Sequence, residues 1–412
     1  MADIQRIKGF ADLFSPESDA FAFMESAARR IFGAYGYREL RVPIMEPTEL
    51  FVRGIGTETD VVQKEMYTFP DRKGRSMTLR PEATAGVMRA YAEAGCHTRE
   101  AISKLFSYGP MFRYERPQKG RMRQFHQLNC ECVGASEPSV DAEVILMLMT
   151  FLGDIGLTGL SLELNSLGCR DCRPEYHAVL GSFLAGINPD DLCEDCQRRM
   201  VANPLRVLDC KVPSCKAQTA DAPKIADHNC PECTRHFSFV RRVLDAAKLP
   251  YVLNHRLVRG LDYYNRTTFE VVSSTIGAQG SVAGGGRYDG LVKALGGPDV
   301  PGVGFACGME RLAMMLSMPQ APAEDFYIAV LDESALETAI LLAQNLRLSG
   351  KSGQSSFAVK SLKSQMRQAS KLGVKKCLIL GSDEIAASVV AVKDMSTGEQ
   401  ERVPMSDVAA KV

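Results

Sequence analysis

Arg113-Tyr114-Glu115-Arg116-Pro117-Gln118-Lys119-Gly120-Arg121-Met122-Arg123-Gln124-Phe125 sets five cations against one carboxylate between Arg113 and Arg123. Strand-forming sequence stands on either side, Lys104 to Tyr114 before the loop and Gln124 to Val133 after it. Such a loop reaches a phosphate-rich ligand from several directions, because guanidiniums grip phosphate oxygens in pairs. Taken alone, the same residues would also make an ordinary solvated basic hairpin. On the return strand, period-two alternation sends Phe125, Gln127, Asn129 and Glu131 to one face and His126, Leu128, Cys130 and Cys132 to the other. One face is polar and the other can pack. Gln127 and Glu131 then lie about 13 Å apart at ~3.4 Å of rise per residue, a span suited to a small molecule.

Upstream, Thr78-Leu79-Arg80-Pro81-Glu82-Ala83-Thr84-Ala85 runs from a strand into a helix. Glu82 there serves either as a cap on the helix dipole or as the partner of an ammonium group. Earlier still, Ser15-Pro16-Glu17 starts a helix with Phe23, Ala27 and Ile31 on its apolar side, ended by Gly33 and Gly36. Pro43, inside Arg41-Val42-Pro43-Ile44-Met45, marks an edge or interrupted strand. Downstream, Leu257-Val258-Arg259-Gly260-Leu261-Asp262-Tyr263-Tyr264 places an arginine in an apolar strand context, where it needs a partner. Asp262 is one candidate. The run Ala283-Gly284-Gly285-Gly286-Arg287-Tyr288-Asp289-Gly290 lets backbone approach a ligand closely, although glycines serve turns as well. Finally, Gly302 to Leu312 reads as a strand feeding a helix, with Arg311 against the dipole in the first turn, which favours an anionic ligand.

The whole chain of 412 residues is too long for one ordinary domain. Its 45% hydrophobic and 24% charged composition is that of a soluble globular protein, and 49 basic residues balance 49 acidic ones. Net charge therefore gives no argument for nucleic acid, DNA included, or for a membrane surface, and any polyanion site has to show up locally. The first residues carry no apolar signal segment, and the longest apolar stretch, Val144 to Leu152, is broken by Thr150, far short of the ~18 residues of a membrane span. A cytoplasmic location is expected. Neither an internal repeat nor a low-complexity tract is present.

Eight of the thirteen cysteines fall between Cys169 and Cys233, amid helix-forming, charged sequence. Their pairs, Cys169/Cys172, Cys193/Cys196, Cys210/Cys215 and Cys230/Cys233, have the spacing of tetrahedral zinc ligands. Reduced thiols in a helical module that folds without metal are the other reading. These signals divide the chain into a first part (1–166), a cysteine-rich insertion (167–252), a second part (253–320) and a C-terminal domain (325–412), with Pro319 to Pro322 as linker. The last domain alternates strand (Phe326 to Leu331), helix (Ala335 to Leu348), helix (Ser361 to Leu372) and strands (Lys376 to Leu380, Ser388 to Lys393). It also holds Arg347, Lys351, Lys360, Lys363, Arg367, Lys371, Lys375 and Lys376, with no Asp or Glu from 347 to 376. That is a local basic field in a neutral protein.

Together these residues closely resemble the histidyl-tRNA synthetase family of class II aminoacyl-tRNA synthetases, over nearly the whole chain. Gly36 to Pro43 is similar to the first class II motif, a dimer interface; Phe112-Arg113-Tyr114-Glu115 opens the second and Gly308-Met309-Glu310-Arg311 closes the third. Leu257 to Tyr264 and Gly285 to Gly290 resemble the two signatures peculiar to the histidine enzymes.

The resemblance implies an α+β fold: a six-stranded antiparallel catalytic sheet flanked by helices, a helical cysteine-rich insertion and a C-terminal α/β anticodon-binding domain. It implies L-histidine, ATP with Mg2+ and tRNA(His) as ligands, a homodimer, and any zinc as structural. Arg113 and Arg259 would grip the α-phosphate as the catalytic pair, and Arg121 and Arg311 the β- and γ-phosphates. Glu115 would join the ATP site, and Phe125 would stack on adenine. Glu82, Ala83, Thr84 and Gln127 would hold the α-ammonium of histidine, with Glu131 and Tyr264 on its imidazole and Tyr263 lining the pocket. Arg116 and Gln118 would meet the acceptor end of the tRNA. Ala83 departs from the family's usual glycine, and Met309 from its usual branched aliphatic. A catalytically inactive paralogue, sensing histidine as a regulatory subunit of ATP phosphoribosyltransferase, usually lacks the anticodon domain and has an eroded Arg-Gly-Leu-Asp-Tyr-Tyr signature; both are present here.

Overall fold

The computed structural model of the protein describes residues 4–276, 280–317 and 323–412. It divides into one unit over Met1–Ser317 and another over Met318–Val412. The expected linker, Pro319 to Pro322, lies outside the described residues.

Six strands make the body of the main sheet, each antiparallel to its neighbours. In spatial order they are Ser103–Phe112, Gln124–Val133, Gly302–Gly308, Ser281–Arg287, Asn265–Ser273 and Leu160–Ser166. Two-residue strands, Arg38–Glu39 and Val252–Leu253, add a parallel pair at each edge, so the sheet has eight strands where six were expected. Such short pieces carry too few residues to show a period in sequence. Pro43 interrupts its segment as expected: pairing stops after Glu39 and resumes at Met45–Pro47, in a separate three-stranded sheet.

Residue size decides which face of the main sheet is buried. Along Gly302–Gly308, Val303, Phe305 and Cys307 point into the core, while the opposite face carries only Gly302, Gly304, Ala306 and Gly308. Helices Glu17–Ala34 and Pro138–Asp154 cover the apolar face. The apolar stretch Val144 to Leu152 is the centre of that second helix, and each large side chain it buries is worth about 1.5–3 kcal/mol. The first helix departs from expectation at its start. Ser15 does not cap the backbone there: its hydroxyl donates to the Asp19 carboxylate, and Pro16 takes the cap position.

One ion pair enters this core. Arg287 and Asp141 are both fully buried; Arg287 Nε donates to Asp141 Oδ1 at 3.0 Å and Arg287 also donates to the Ala135 carbonyl at 2.9 Å. His236 Nε2 stands 2.7 Å from Asp141 Oδ2. His236 lies on Pro231–Ala246, the last helix of the cysteine-rich stretch, so the network joins that stretch to the sheet and to the helix Pro138–Asp154.

The second unit is a five-stranded sheet in the order Gly353–Ser355, Phe326–Val330, Lys376–Leu380, Val389–Asp394, Gln400–Pro404. The first three run parallel, with helices Leu336–Leu348 and Leu362–Leu372 in the connections, and the last two antiparallel. Sequence reading misses both edge strands because Gly353–Ser355 and Gln400–Pro404 each bury a single residue and so lack an apolar alternation.

Removing one partner of a buried pair strands the other charge. Asp141→Ala is expected to lower unfolding free energy by about 3–5 kcal/mol in urea titrations. A loss under about 1 kcal/mol would show that Arg287 finds other compensation.

Candidate active site

The side-chain-poor face of the sheet is the floor of a cavity of about 310 Å³. Gly284 and Ala306 pair across the two central strands and both reach the lining, as does Gly308. Arg259 rests directly on this floor: a Cβ added to Gly284 would stand 2.7 Å from the Arg259 Cζ. Its Nη1 faces Glu270 Oε2 at 3.5 Å, its guanidinium lies over the Tyr264 ring at 5.4 Å, and its buried Nε has no hydrogen-bond partner among the described residues. Asp262 is not the partner of Arg259. It accepts instead from Asn203 Nδ2 at 3.0 Å, because the loop backbone hydrogen-bonds to Ile55 and turns Asp262 the other way.

Arg113 arrives from the other strand pair. Its Nε donates to the Pro81 carbonyl at 2.9 Å and its guanidinium lies over the Phe125 ring at 5.4 Å, which places the fork of the side chain on the cavity wall. Arg121 pairs with Glu115, and Arg311 donates to the carbonyls of Gly120 and Ser281. Burial, and after it the neighbouring cation of Arg121, hold the Arg311 pKa below its ordinary value. A cavity where cations oppose one another in this way favours a polyanion.

On the amino-acid side, Glu82 Oε2 and Oε1 accept the backbone N–H groups of Thr84 and Ala85, each at 2.8 Å. Glu82 is therefore a cap for the helix Thr84–Glu93 and a wall of the cavity together. Burial pushes its carboxyl above the usual range. Each oxygen has one lone pair left for a ligand.

Of the residues singled out from sequence, Glu82, Thr84, Arg113, Glu115, Arg121, Phe125, Gln127, Arg259, Tyr263, Tyr264 and Arg311 all line this one cavity. Ala83 does not; it is buried behind the wall. Arg116 and Gln118 stand exposed at the tip of the basic loop, where Gln118 and Arg121 exchange two backbone hydrogen bonds at 2.9 Å.

Asn129 and Glu131 share the strand face of Phe125 and Gln127, and both are 1% exposed. Glu131 accepts from Thr84 Oγ1 at 2.7 Å, from Tyr288 OH and from Asn129 Nδ2 at 3.5 Å, and it is absent from the lining. It fits there only because Gly304, directly opposite, has no side chain; a Cβ would stand 2.9 Å from the carboxyl carbon. Burial pushes the Glu131 carboxyl up to about 8. Sequence reasoning gave no role to Tyr288, Glu270, Asp209 or Lys211. Tyr288 had a signal, its place at the end of the glycine run.

The comparisons with known proteins agree with this geometry. Residues 9–312 match the family model described as histidyl-tRNA synthetase, and residues 325–412 match that of an anticodon binding domain. The chain belongs to the histidyl-tRNA synthetase family. The synthetase is 66% identical to a histidine–tRNA ligase of Nitratidesulfovibrio vulgaris (strain DP4), covering 100% of this chain and 99% of the relative. It is 51% identical to one from Geobacter metallireducens, covering 98% of each. Among solved structures it is similar to the apo histidyl-tRNA synthetase of S. aureus, with a TM-score of 0.82 at 34% identity, covering 100% of this chain and 99% of that one. A Bacillus halodurans chain titled ATP phosphoribosyltransferase regulatory subunit/histidyl-tRNA synthetase shares the fold at 18% identity and a TM-score of 0.66, covering 88% of this chain and 96% of that one. Full-length identity with ligases places the synthetase with the enzymes and not with the regulatory paralogues.

The eight cysteines of the insertion fall into two groups of four. Cys169, Cys172, Cys230 and Cys233 form one and Cys193, Cys196, Cys210 and Cys215 the other, with ligand atoms within 4.8 Å of one another. Among the described residues no helix is long and apolar enough to cross a membrane.

A carboxyl whose native pKa is raised keeps its proton in the folded protein while the unfolded chain has already lost it, so stability drains away between the two pKa values. Native stability is therefore expected to fall as pH rises from the ordinary carboxyl range to about 8 and to level off above it, and this component to be missing from Glu131→Gln. Thermal melts of both proteins from pH 6 to 9 check it: the difference should move in the variant's favour with pH, and a constant difference would mean that Glu131 ionises normally.

Proposed function

We propose that this synthetase activates L-histidine with ATP and Mg2+ in the cavity over the glycine floor, and then transfers the histidyl group to the 3' end of tRNA(His). The observation that carries the reading is the convergence of Arg113, Arg259, Arg121 and Arg311 on one cavity beside the Glu82 and Gln127 wall.

In activation, a carboxylate oxygen of histidine attacks the α-phosphorus and the bond to the bridging oxygen of pyrophosphate breaks. The nucleophile is already an anion, so no general base is needed. Fixed cations must instead take the charge that gathers on the phosphoryl oxygens and leaving group. Arg259, held on Gly284, and Arg113, clamped to Pro81, meet the α-phosphate; Arg121 and Arg311 meet the pyrophosphate oxygens. Phe125 stacks with the adenine, and Glu115 orients Arg121.

Glu82, Thr84 and Gln127 receive the α-ammonium, and Tyr263 and Tyr264 flank the imidazole. For Glu131 to meet that ring, the imidazole N–H has to take the place of the Thr84 hydroxyl on Oε1. A site that bonds both ring nitrogens rejects apolar isosteres, since they would leave buried polar groups unpaired. No editing domain is required on that logic.

The C-terminal domain takes the anticodon. Lys375 and Lys376 are paired with Asp325 and Asp394, each at 2.8 Å, and Arg347 is tied to the Gly353 carbonyl. Lys360, Lys363, Arg367 and Lys371 are exposed and enter none of the ion pairs among the described residues, and their field supports tRNA binding. Arg116 and Gln118 meet the acceptor end. The synthetase works as a homodimer through its first motif, Gly36 to Pro43, and its cysteine groups hold structural zinc.

Arg259→Ala is expected to lower histidine-dependent ATP–pyrophosphate exchange by about a hundredfold or more while histidine still binds by calorimetry. Exchange at the wild-type rate would refute the assignment. Lys363→Ala/Arg367→Ala should raise the KM for tRNA about tenfold, with a shallower salt dependence and unchanged pyrophosphate exchange. An unchanged KM for tRNA would move the contact elsewhere.

A further inference from the structure

The sulfur geometry of the insertion is that of metal thiolates. With ~2.3 Å zinc–sulfur bonds, tetrahedral coordination places sulfurs about 3.8 Å apart. Cys172 and Cys233 stand at 3.8 Å, Cys193 and Cys210 at 3.8 Å, and Cys169 and Cys172 at 3.5 Å. A disulfide would need ~2.05 Å. Backbone amides also point at the sulfurs: Cys230 N–H donates to Cys172 Sγ at 3.1 Å, and Cys193 N–H to Cys215 Sγ at 3.2 Å. Amide-to-sulfur bonds stabilise a thiolate, as the outer shell of a metal site does.

The two groups occupy different places. The first joins the two ends of the insertion, since Cys172 and Cys230 stand at the N-termini of helices Arg173–Ala185 and Pro231–Ala246. The chain enters there through Gly168 at φ +61°, where a Cβ would stand 2.8 Å from that of Cys172. The second group lies at the far part of the insertion, and its Cys210 is flanked by Asp209 and Lys211, both on the lining of the ATP cavity. Two further ties hold this part to loops outside the insertion: Arg199 donates to Asp60 at 2.6 Å and Asn203 to Asp262 at 3.0 Å.

We propose that the insertion binds two zinc ions, and that the ion on Cys193, Cys196, Cys210 and Cys215 has a job the other lacks: it fixes the Asp209–Lys211 segment at the cavity, where Lys211 contacts a phosphate of ATP. The inference rests on the reading of the cysteine groups as zinc sites and adds their number and their division of labour. Lys211 belongs to no motif of the catalytic sheet, and reaches the nucleotide only because its neighbour in sequence is a metal ligand.

Metal analysis and kinetics of the full-length enzyme test it. The purified protein should hold two zinc ions per chain, and cobalt(II) exchanged into it should show tetrahedral thiolate bands equal to two ions. Cys215→Ser should hold one zinc and show a KM for ATP raised about tenfold, the loss of one charge-assisted contact, with the KM for histidine within about twofold of wild type. Lys211→Met should show the same change with both zinc ions in place, and Cys215→His, which keeps a ligand, should restore both zinc and affinity. A protein without zinc would end the metal reading altogether. Two zinc ions with an unchanged KM for ATP in Cys215→Ser and Lys211→Met would leave that reading standing and overturn this inference.

Discussion

The account depends on a steric constraint: two central strands of the sheet present almost no side chains to the cavity. Gly284 leaves room for the Arg259 guanidinium above it, and Gly304 leaves room for the Glu131 carboxyl beside it. A Cβ at either position would have to displace a charged or strongly polar group against rigid backbone, a cost of about 1–3 kcal/mol for overpacking before function is counted. The apolar side of the same strands shows the opposite demand, with Val303, Phe305 and Cys307 buried in one cluster with residues of two helices. Alternating small and large residues thus makes a single sheet both the wall of a core and the floor of a site.

Electrostatics then selects what the floor can carry. Arginines gathered at one cavity repel one another and lose hydration, and among the described residues Glu115 pairs with Arg121 and Glu270 with Arg259. A triphosphate supplies the missing negative charge, so binding relieves a penalty that folding imposes. Rigid elements hold the cations: Arg113 to a carbonyl at the end of one strand, Arg311 to two carbonyls from two segments. Little rearrangement is then required as charge moves during adenylate formation.

Much of this was legible from residue spacing. The hairpin strands fell within one or two residues of Ser103–Phe112 and Gln124–Val133, and the polar alternation on the second correctly paired Phe125 with Gln127 on the cavity side. Spacing could not show that Asn129 and Glu131, on the same strand face as Gln127, are sealed beneath the cavity wall. Arg259 was read as needing a partner, but that partner, Glu270, comes from a strand whose register sequence does not reveal. The cysteine pairs were visible as pairs; which pairs combine depends on the fold of the insertion, and Cys169/Cys172 joins Cys230/Cys233 across its whole length. Asp209 and Lys211 had no signal at all, since only that fold brings them to the cavity.

The most direct test of the central claim is a crystal structure with histidine and a non-hydrolysable ATP analogue bound. Nitrogens of Arg113 and Arg259 should each lie within about 3.2 Å of α-phosphate oxygens, on opposite sides of the phosphorus and above Gly284. A nucleotide seated elsewhere, or an α-phosphate reached by neither guanidinium, would contradict the account.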